Sequence, residues 1–371
     1  MTTVNDIVSR FEEFSPKWLA EKGDPIGLQL GDLNQEVHKM MVTLDVRPET
    51  VQEAISQDVD FIFAHHPAMF HPLYSFDLSV PQNKMYAKLI ENHISVYAAH
   101  TNLDSAQGGM NDWLADKLGL QESEPLLGPF EEKTYKLAVF VPVDNAAQLR
   151  QGLAAAGAGQ LGNYSNCSFS VQGKGRFLPG KDSDPYLGKA GQPEVAAEEK
   201  VEVVFPAKYK NQVLAAMYAN HPYEEIVFDL YQIEDSGVKY GMGRVGDLVK
   251  PVKLKDFVAQ CKEVFQIPAL RVVSSELQQE IQRVAVLGGS GAKFYTDALA
   301  KHADVYVTGD VSYHTAHDML ASGLNVIDPG HHFEWVCQPE LQNLFTKWSK
   351  ENEWAVDVIA TTINTDPFTF M

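Results

Sequence analysis

Short apolar runs alternate with amphipathic segments over residues 1–127. Apolar residues spaced three or four apart predict helices, and compact apolar runs bounded by polar residues predict strands. The predicted helices cover residues 5–20, 47–57 and 84–92, and the predicted strands cover residues 39–46, 59–64 and 94–99. Because helices and strands alternate, this block predicts a mostly parallel sheet that is covered by helices.

The same alternation returns over residues 247–371. Strands are predicted at residues 283–287, 303–308 and 324–327, and a turn and a helix follow each of them. The first of these turns, Gly288 to Gly291, could present backbone N–H groups to a phosphate. It lacks the Lys-Ser/Thr of a P-loop, and a plain tight turn is the simpler interpretation. The chain therefore predicts an α/β fold in which two such blocks flank a different segment.

The segment between them, residues 128–246, has the pattern of a small α+β domain. Strands are predicted at residues 135–143, 167–171, 200–204 and 225–232, with helices at 146–156 and 209–220. This order is typical of a split-βαβ, ferredoxin-like domain. The Gly- and Pro-rich stretch at 173–194 is either an ordered hairpin extension or a mobile loop, and the pattern does not decide between them.

Composition narrows the class of protein. A chain of 371 residues predicts more than one compact unit, and a formal net charge of -19 makes nucleic acid and anionic membranes poor partners. Three widely spaced cysteines predict neither a disulfide framework nor a thiolate metal site, which favours a reducing cytoplasm. The acidic N-terminus is unlike a secretion signal, and no apolar run approaches the roughly 18 residues of a membrane span.

Histidines and carboxylates collect directly after three predicted strands, in the motifs AHHP, HTNLD and DPGHHFE. In an open parallel sheet, ligands bind outside the carboxyl ends of the strands, so we expect these loops to converge. The candidate metal ligands are His65, His66, Asp104, His331 and Glu334. Imidazole and carboxylate donors suit divalent Zn, Fe, Mn, Co or Ni and leave the identity of the metal open.

Local geometry constrains these candidates. His65 and His66 would face opposite sides of an extended strand, so both can bind one site only where the chain leaves that geometry, as Pro67 indicates. His331 and Glu334 are three residues apart at the start of a predicted helix, which places them on one face. We prefer His331 to its neighbour His332 as the ligand.

Other polar residues are weaker candidates. His100 and His332 could act as a general base or proton shuttle, because histidine titrates near neutral pH. Asp45, Asp310 and His314 are predicted to line the cavity. The two aspartates could orient ligands, and helix capping is an equally good interpretation of them. Helical histidines such as His314 are more often surface or packing residues.

Several motifs together resemble the Nif-three-like family, whose bacterial members are called GTP cyclohydrolase 1 type 2 homologues. The motifs are IGLQLGD (26–32), AHHP (64–67), HTNLD (100–104), TGD with the following His314 (308–314) and DPGHHFE (328–334). The resemblance implies a dinuclear metal centre, with the five candidate ligands at the family's ligand positions. It also implies a toroidal homohexamer whose metal sites face an internal cavity. NYSNCSFSVQGKGRF (163–177) and NHPYEE (220–225) are similar to the PII/CutA-like extra domain of the longer bacterial members.

The leading functional hypothesis is a metal-dependent hydrolase that acts on a nucleotide-like or phosphorylated small molecule. Two ions bridged by a carboxylate such as Glu334 would activate water for a reaction of the cyclohydrolase or phosphoesterase type. The alternative is a non-catalytic sensory protein, in which the middle domain gates a metal-lined cavity. A third hypothesis is an interaction scaffold that the metal stabilises.

Overall fold

The computed structural model describes residues 1–128, 130–131, 133–234 and 239–371. These residues form two compact units, one made of Met1–Phe130 with Tyr240–Met371 and the other of Glu131–Lys239. The first unit is therefore built from both ends of the chain. Among the described residues, none of the helices combines the length and apolar character that crossing a membrane requires.

The regular elements follow in chain order. The α-helices are α1 (Val4–Phe14), α2 (Pro48–Ser56), α3 (Pro81–Glu91), α4 (Thr101–Ser105), α5 (Met110–Leu118), α6 (Ala146–Ala155), α7 (Lys210–Asn220), α8 (Leu254–Val264), α9 (Tyr295–Ala300), α10 (Tyr313–Ala321) and α11 (Cys337–Glu351). The strands are β1 (Gly27–Leu30), β2 (Lys39–Thr43), β3 (Phe61–Ala64), β4 (Ser95–Ala98), β5 (Gln121–Pro125), β6 (Phe130–Glu131), β7 (Thr134–Pro142), β8 (Phe169–Phe177), β9 (Glu194–Pro206), β10 (Phe228–Ile233), β11 (Lys239–Tyr240), β12 (Arg244–Lys253), β13 (Arg271–Val273), β14 (Glu280–Val286), β15 (Val305–Val307), β16 (Asn325–Asp328) and β17 (Asp357–Ala360). Short 3₁₀ helices lie at Lys17–Leu19, Val143–Asn145, Ala207–Tyr209, Ala292–Phe294 and His331–Val336.

Helix α1 shows how local sequence sets an element. Thr3 accepts a hydrogen bond from the backbone N–H of Asp6, and the Asp6 carboxylate accepts one from the backbone N–H of Thr3, which is a capping box. The prediction of one helix over residues 5–20 is too long. Pro16 lacks a backbone donor and cannot continue the helix, so the chain instead forms the short 3₁₀ helix Lys17–Leu19.

The first sheet has the strand order β1-β4-β3-β2-β17. Strands β4, β3, β2 and β17 are parallel, and β1 pairs antiparallel with β4 at the edge. Every residue of β3 and β4 is buried, as expected for parallel strands that are covered on both faces. The sheet is therefore mostly parallel, as predicted.

The second sheet has the order β13-β16-β15-β14-β12-β5 and is only half parallel. Its centre, β16, β15 and β14, is parallel, whereas β13, β12 and β5 pair antiparallel with their neighbours. Strand β5 is almost entirely exposed, which an antiparallel edge tolerates and a buried parallel strand does not. The three predicted strands of this block correspond to the parallel centre of the sheet, and its antiparallel edge strands are not predicted from the sequence.

One apolar core lies within the first unit and draws on both of its sheets. It contains Phe63 of the first sheet, Val307 of the second, and Phe11, Phe257 and Phe345 from three helices. Arg244 on β12 adds a partly buried ion pair with Asp112 on α5, with Nε to Oδ1 at 2.5 Å and Nη2 to Oδ2 at 2.7 Å. The two terminal blocks thus share one core.

The second unit is an antiparallel sheet of order β10-β7-β9-β8, and helices α6 and α7 contribute to its core. The element order along the chain is βαββαβ. Strands β8 and β9 pair from Phe169 with Glu202 to Phe177 with Glu194. The Gly- and Pro-rich stretch therefore begins and ends as an ordered hairpin, with residues 178–193 connecting its strands.

Candidate metal centre

Polar loops from both sheets of the first unit meet at one edge. The loops follow the carboxyl ends of β2, β3, β4, β14, β15 and β16. The side chains that they bring together include the five candidate ligands His65, His66, Asp104, His331 and Glu334. Strand ends that are far apart in sequence thus contribute donors to one cluster.

His65 and His66 lie just beyond β3, where the chain bends and leaves extended geometry. His65 is fully buried, and its Nδ1–H donates to the backbone carbonyl of Ala99 at 2.9 Å. His66 Nδ1–H donates to Asp45 Oδ1 at 2.8 Å. Both Nε2 atoms can therefore face the same cluster although the residues are adjacent.

His100 immediately precedes the short helix α4, and Asp104 lies within it. His100 Nδ1–H donates to Asp24 Oδ1 at 2.9 Å, and the second oxygen of Asp24 accepts from the backbone N–H of Thr101 at 3.0 Å. Asp104 is buried, with its Oδ1 3.6 Å from Nε2 of His65. Helix α4 therefore turns Asp104 toward the histidines that follow β3.

His331 and Glu334 belong to the 3₁₀ helix that follows β16, where residues three apart eclipse one another. His331 Nδ1–H donates to Asp310 Oδ2 at 2.7 Å. Glu334 is 2% exposed, and its Oε2 lies 3.3 Å from His331 Nε2 and 3.1 Å from His66 Nε2. The carboxylate is thus in the centre of the cluster.

The donor set fits a divalent metal. Nδ1 of each of four histidines, 65, 66, 100 and 331, donates to a carbonyl or a carboxylate, which leaves Nε2 as a lone-pair donor. Nε2 of His66 and Nε2 of His331 are 3.3 Å apart, so two unprotonated nitrogens would repel each other there, and a shared proton or a metal cation removes the repulsion. His65 Nε2 and Asp104 Oδ1 are buried with no hydrogen-bond partner among the described residues. Two lone pairs and an orphaned carboxylate oxygen suit a cation.

The pKa shifts in the cluster are also consistent with a bound cation. Burial opposes a charged His66, but hydrogen bonds to Asp45 and Glu334 outweigh burial and raise the pKa of His66 to about 10. The hydrogen bond to Glu334 raises the pKa of His331 to about 9. Burial raises the pKa of Asp104 to about 6. The cluster therefore stabilises positive charge at its inward-facing nitrogens.

Comparison with known proteins places the chain in a family. The family model Duf34/NIF3 (NGG1p interacting factor 3) matches residues 2–367. The chain belongs to the Duf34/NIF3 family. It is 43% identical to a protein of Halalkalibacterium halodurans and 42% identical to one of Bacillus subtilis, each called GTP cyclohydrolase 1 type 2 homolog, over 98% of both chains. A crystal structure of a Bacillus cereus protein related to NIF3 matches with a TM-score of 0.90 at 41% identity, over 100% of this chain and 99% of that one.

A cleft of about 800 Å³ opens onto the cluster of this Duf34/NIF3 chain. The candidate residues that line it are Asp45, His66, His100, Asp104, His331, His332 and Glu334. His332 lies outside the groups of converging donors among the described residues, and burial lowers its pKa. The described lining does not include Asp310, which contacts His331, or His314, which is exposed on α10 against the ring of Tyr313.

The turn that follows β14 approaches the cluster closely. A Cβ on Gly288 would lie 2.5 Å from Glu334 Oε1, and a Cβ on Gly289 would lie 3.0 Å from the same atom and 3.2 Å from His331 Nε2. Gly289 also has a φ of +58°. The glycines therefore leave room for the central carboxylate, a role that the sequence analysis did not assign to this turn.

Two groups that orient histidines of the cluster cannot be predicted from the sequence. Asp24 holds His100, and the carbonyl of Ala99 holds His65. Asp24 lies in an irregular loop, outside every motif that follows a strand. A backbone carbonyl has no residue signature, so neither partner has a local sequence signal.

Proposed function

We propose that the protein holds two divalent metal ions in this cluster and uses them as a hydrolase. The placement of Glu334 between two donor sets supports two ions. Its Oε1 lies 3.8 Å from His65 Nε2, and its Oε2 lies 3.1 Å from His66 Nε2 and 3.3 Å from His331 Nε2. Asp104 joins the set that contains His65. A carboxylate with one oxygen toward each set suits a dinuclear site.

The ligands would divide accordingly. His65, Asp104 and Glu334 would hold one ion, and His66, His331 and Glu334 would hold the other. Nitrogen and oxygen donors without thiolate suit Zn, Fe, Mn, Co or Ni. When bound, such a pair supplies water of lowered pKa and neutralises negative charge on a substrate.

His100, which converges with His65 and His66, and His332, which lies outside the converging groups of described residues, have pKa values shifted in opposite directions. Burial lowers the pKa of His100, but its hydrogen bond to Asp24 and the nearby Asp104 outweigh burial and raise it. Burial lowers the pKa of His332. We assign His100 as the proton donor and His332 as the proton acceptor, because separated pKa values suit those two roles.

The cleft favours a flat substrate with an anionic group. Phe70, Phe294 and Phe368 provide aromatic surface, and Arg47 and Lys293 provide positive charge. Aromatic rings bind planar heterocycles, and cations bind phosphate. The name of the relatives, GTP cyclohydrolase 1 type 2 homolog, agrees with a nucleotide-like or phosphorylated substrate.

We also propose the assembly and the class of the second unit. Its βαββαβ order is that of a ferredoxin-like domain, and we assign the unit, Glu131–Lys239, as a PII/CutA-like insert that lies within the segment 128–246. We further propose a toroidal homohexamer in the cytoplasm, as the family resemblance of the motifs implies. Mass photometry tests the assembly against six times the 41.2 kDa of one chain.

The central experiment replaces Glu334 by Gln in the full chain. The amide has the shape of the carboxylate but not its charge, so the site should lose metal. We expect about two ions per chain in the wild type and fewer than one in Glu334→Gln, measured by elemental mass spectrometry. Turnover of nucleotides and phosphoesters with Mn, Fe, Co or Zn should be lost in parallel.

Two further variants test whether the loss of metal in Glu334→Gln is specific to the metal ligands. Asp104→Asn should behave like Glu334→Gln, whereas Glu340→Gln, on helix α11 and outside the donor groups, should retain metal and turnover. Wild-type protein that is loaded with metal but inactive on every substrate contradicts the hydrolase and favours the sensory or scaffold alternative. Full metal content in Glu334→Gln contradicts the metal assignment itself.

A further inference from the structure

The second unit contains a cavity of about 760 Å³ that the proposed hydrolase does not use. Two sequence motifs of that unit meet there, since Gly173 to Phe177 and Tyr223 to Glu225 both line it. Residues 178–187 of the hairpin connection contribute a further wall. The convergence of both motifs on one cavity indicates a common role.

The cavity lies on the sheet face opposite helices α6 and α7. Side chains alternate along β9, and Val201, Val203 and Phe205 pack in the core with the helices. Glu198, three residues before Val201, therefore points to the other face, together with Lys200. We call this the open face of the sheet.

Glu198 is a buried carboxylate at the wall of the cavity. It is 8% exposed, and the Tyr223 hydroxyl donates to its Oε1 at 2.9 Å. No Lys, Arg or His forms an ion pair with it in the part of the chain that the structure describes. A buried charge with a single hydroxyl partner is costly and calls for a cation.

Glycines on the neighbouring strand give access to this carboxylate. Gly173 pairs with Glu198 across the β8–β9 ladder, and Gly175 follows on the same face. A Cβ on Gly175 would lie 2.1 Å from Glu198 Oε2, whereas a Cβ on Gly173 would have nothing within 4 Å. The room around Glu198 therefore depends on the missing side chain of Gly175 in particular.

Aromatic rings surround the same space. The Tyr223 ring lies between those of Phe177 and Tyr186, with centroids 6.2 Å from each at interplanar angles of 60° and 53°. Tyr186 is 53% exposed and marks the open side of the cavity. Rings beside a carboxylate form a favourable setting for an organic cation.

The basic residues around the cavity do not cancel this charge. Lys174 and Arg176 also line the cavity, but neither forms an ion pair with Glu198 among the described residues. Lys200 shares the open face but pairs with Glu202, with Nζ to Oε1 at 2.6 Å. Glu198 therefore has no ion-pair partner among these basic residues.

We propose that this cavity binds a small organic cation, a primary or quaternary amine attached to an apolar or aromatic group. The ammonium contacts Glu198, and the rings of Phe177, Tyr186 and Tyr223 surround the attached group. The site lies within the second unit, and its test is independent of the metal centre.

The test compares three probes that share a phenyl group and differ in charge: 2-phenylethylamine, 2-phenylethanol and 3-phenylpropanoate. Binding to the full chain is measured by saturation-transfer NMR and calorimetry, with a chelator present so that the amine cannot coordinate metal. We expect the amine to bind roughly tenfold more tightly than the alcohol and the anion to bind weakest. Glu198→Gln should reduce the amine to the affinity of the alcohol.

A pair of glycine variants provides the control. Gly175→Ala should weaken amine binding because its methyl displaces the Glu198 carboxylate, whereas Gly128→Ala, outside the second unit and with nothing within 4 Å of the new methyl, should bind the amine within about twofold of wild type. Thermal unfolding checks that each variant is folded. The proposal is overturned if the amine does not bind at millimolar concentration, if the alcohol or the anion binds equally well, or if the preference for the amine survives in Glu198→Gln.

Discussion

Each inward-facing imidazole of the candidate metal centre is held through its outer nitrogen. Asp45 accepts from His66 Nδ1–H at 2.8 Å and from the Thr365 hydroxyl at 2.6 Å. Burial opposes a charged Asp45, but the hydrogen bonds from His66 and Thr365 and the nearby positive charges of His66 and Arg47 together outweigh burial and lower the pKa of Asp45 to about 2. The carboxylate is therefore ionised at neutral pH and fixes the His66 tautomer that leaves Nε2 free for a metal.

Replacing Asp45 by Asn should weaken metal binding by about 10- to 100-fold, because the imidazole loses its charged acceptor and its fixed orientation. A competition titration of Zn²⁺ against a chelating indicator measures this change, with circular dichroism as the test of folding. Asp318→Asn, exposed on helix α10, is the matched control and should bind like wild type. An unchanged Zn²⁺ affinity in Asp45→Asn would mean that His66 needs no such partner.

Residue types at strand ends can be predicted from sequence, but their partners cannot. His65, His66 and His331 are recognisable because they are polar residues that come soon after an apolar strand. Asp24 contacts His100 from 76 residues away, and the Ala99 carbonyl contacts His65 from 34 residues away. Such contacts depend on tertiary packing, which a local pattern does not encode.

The turn between β14 and the following 3₁₀ helix positions backbone rather than side chains at the cluster. Gly288 has no positive φ, so alanine is compatible with its backbone, yet the new Cβ would lie 2.5 Å from Glu334 Oε1. We expect Gly288→Ala to displace that carboxylate and to weaken metal binding by at least tenfold, while the metal-free protein keeps its secondary structure. Calorimetric titration with Mn²⁺ measures the affinity.

A glycine-to-alanine substitution at a position with free space around it serves as the control. It shows whether weaker metal binding in Gly288→Ala is due to displacement of Glu334 or to any glycine-to-alanine change. Gly180 lies in the second unit, and a Cβ there would have nothing within 4 Å. Gly180→Ala should therefore bind Mn²⁺ like wild type. Equal affinity in Gly288→Ala and Gly180→Ala would show that the turn does not constrain Glu334.

Whether a helix or strand can be predicted from the sequence depends on the spacing of its apolar residues and on how much of its surface is buried. Helix α5 lies outside the predicted helices, although Met110, Leu114 and Leu118 have helical spacing and Gly119 ends the helix at a φ of +78°. Helix α4 is different, because all five of its residues are buried and no polar face marks it. The antiparallel edges of the second sheet likewise have no local signature.

At the scale of the whole molecule, the first unit depends on pairings between distant segments. Strand β17, near the end of the chain, pairs with β2, and β5 from the first block pairs with β12 from the last. Alternation of helices and strands predicts α/β layers, but not which remote strand completes a sheet. The metal cluster is formed in the same way, because His66 and Glu334 are 268 residues apart. Folding and metal binding should therefore be coupled.

That coupling has a definite dependence on pH. The folded protein has a pKa of about 10 for His66 and about 9 for His331, both above the ordinary value of 6.5. Protonation of these groups adds stability that is complete below pH 6.5 and is lost as the pH rises toward 9 to 10. The pKa of Asp104 is raised from 3.8 to about 6, so its protonation also adds stability at low pH, and this stability is lost as the pH rises toward 6. A divalent ion competes with protons for the same nitrogens. The stability that the bound metal adds to the folded protein should therefore increase with pH, over the same pH range in which the stability added by protonation decreases.

Thermal unfolding with excess chelator and with excess Zn²⁺, at several pH values between 6 and 8.5, measures both trends. The Tm of the chelated protein should fall by several degrees across this range. The difference in Tm between metal-loaded and chelated protein should widen as the pH rises. In Glu334→Gln the added Zn²⁺ should raise Tm little at any pH, because the carboxylate shared by both donor sets is gone. A wild-type difference that stays constant or narrows with pH would mean that the metal and the protons do not compete for the same cluster.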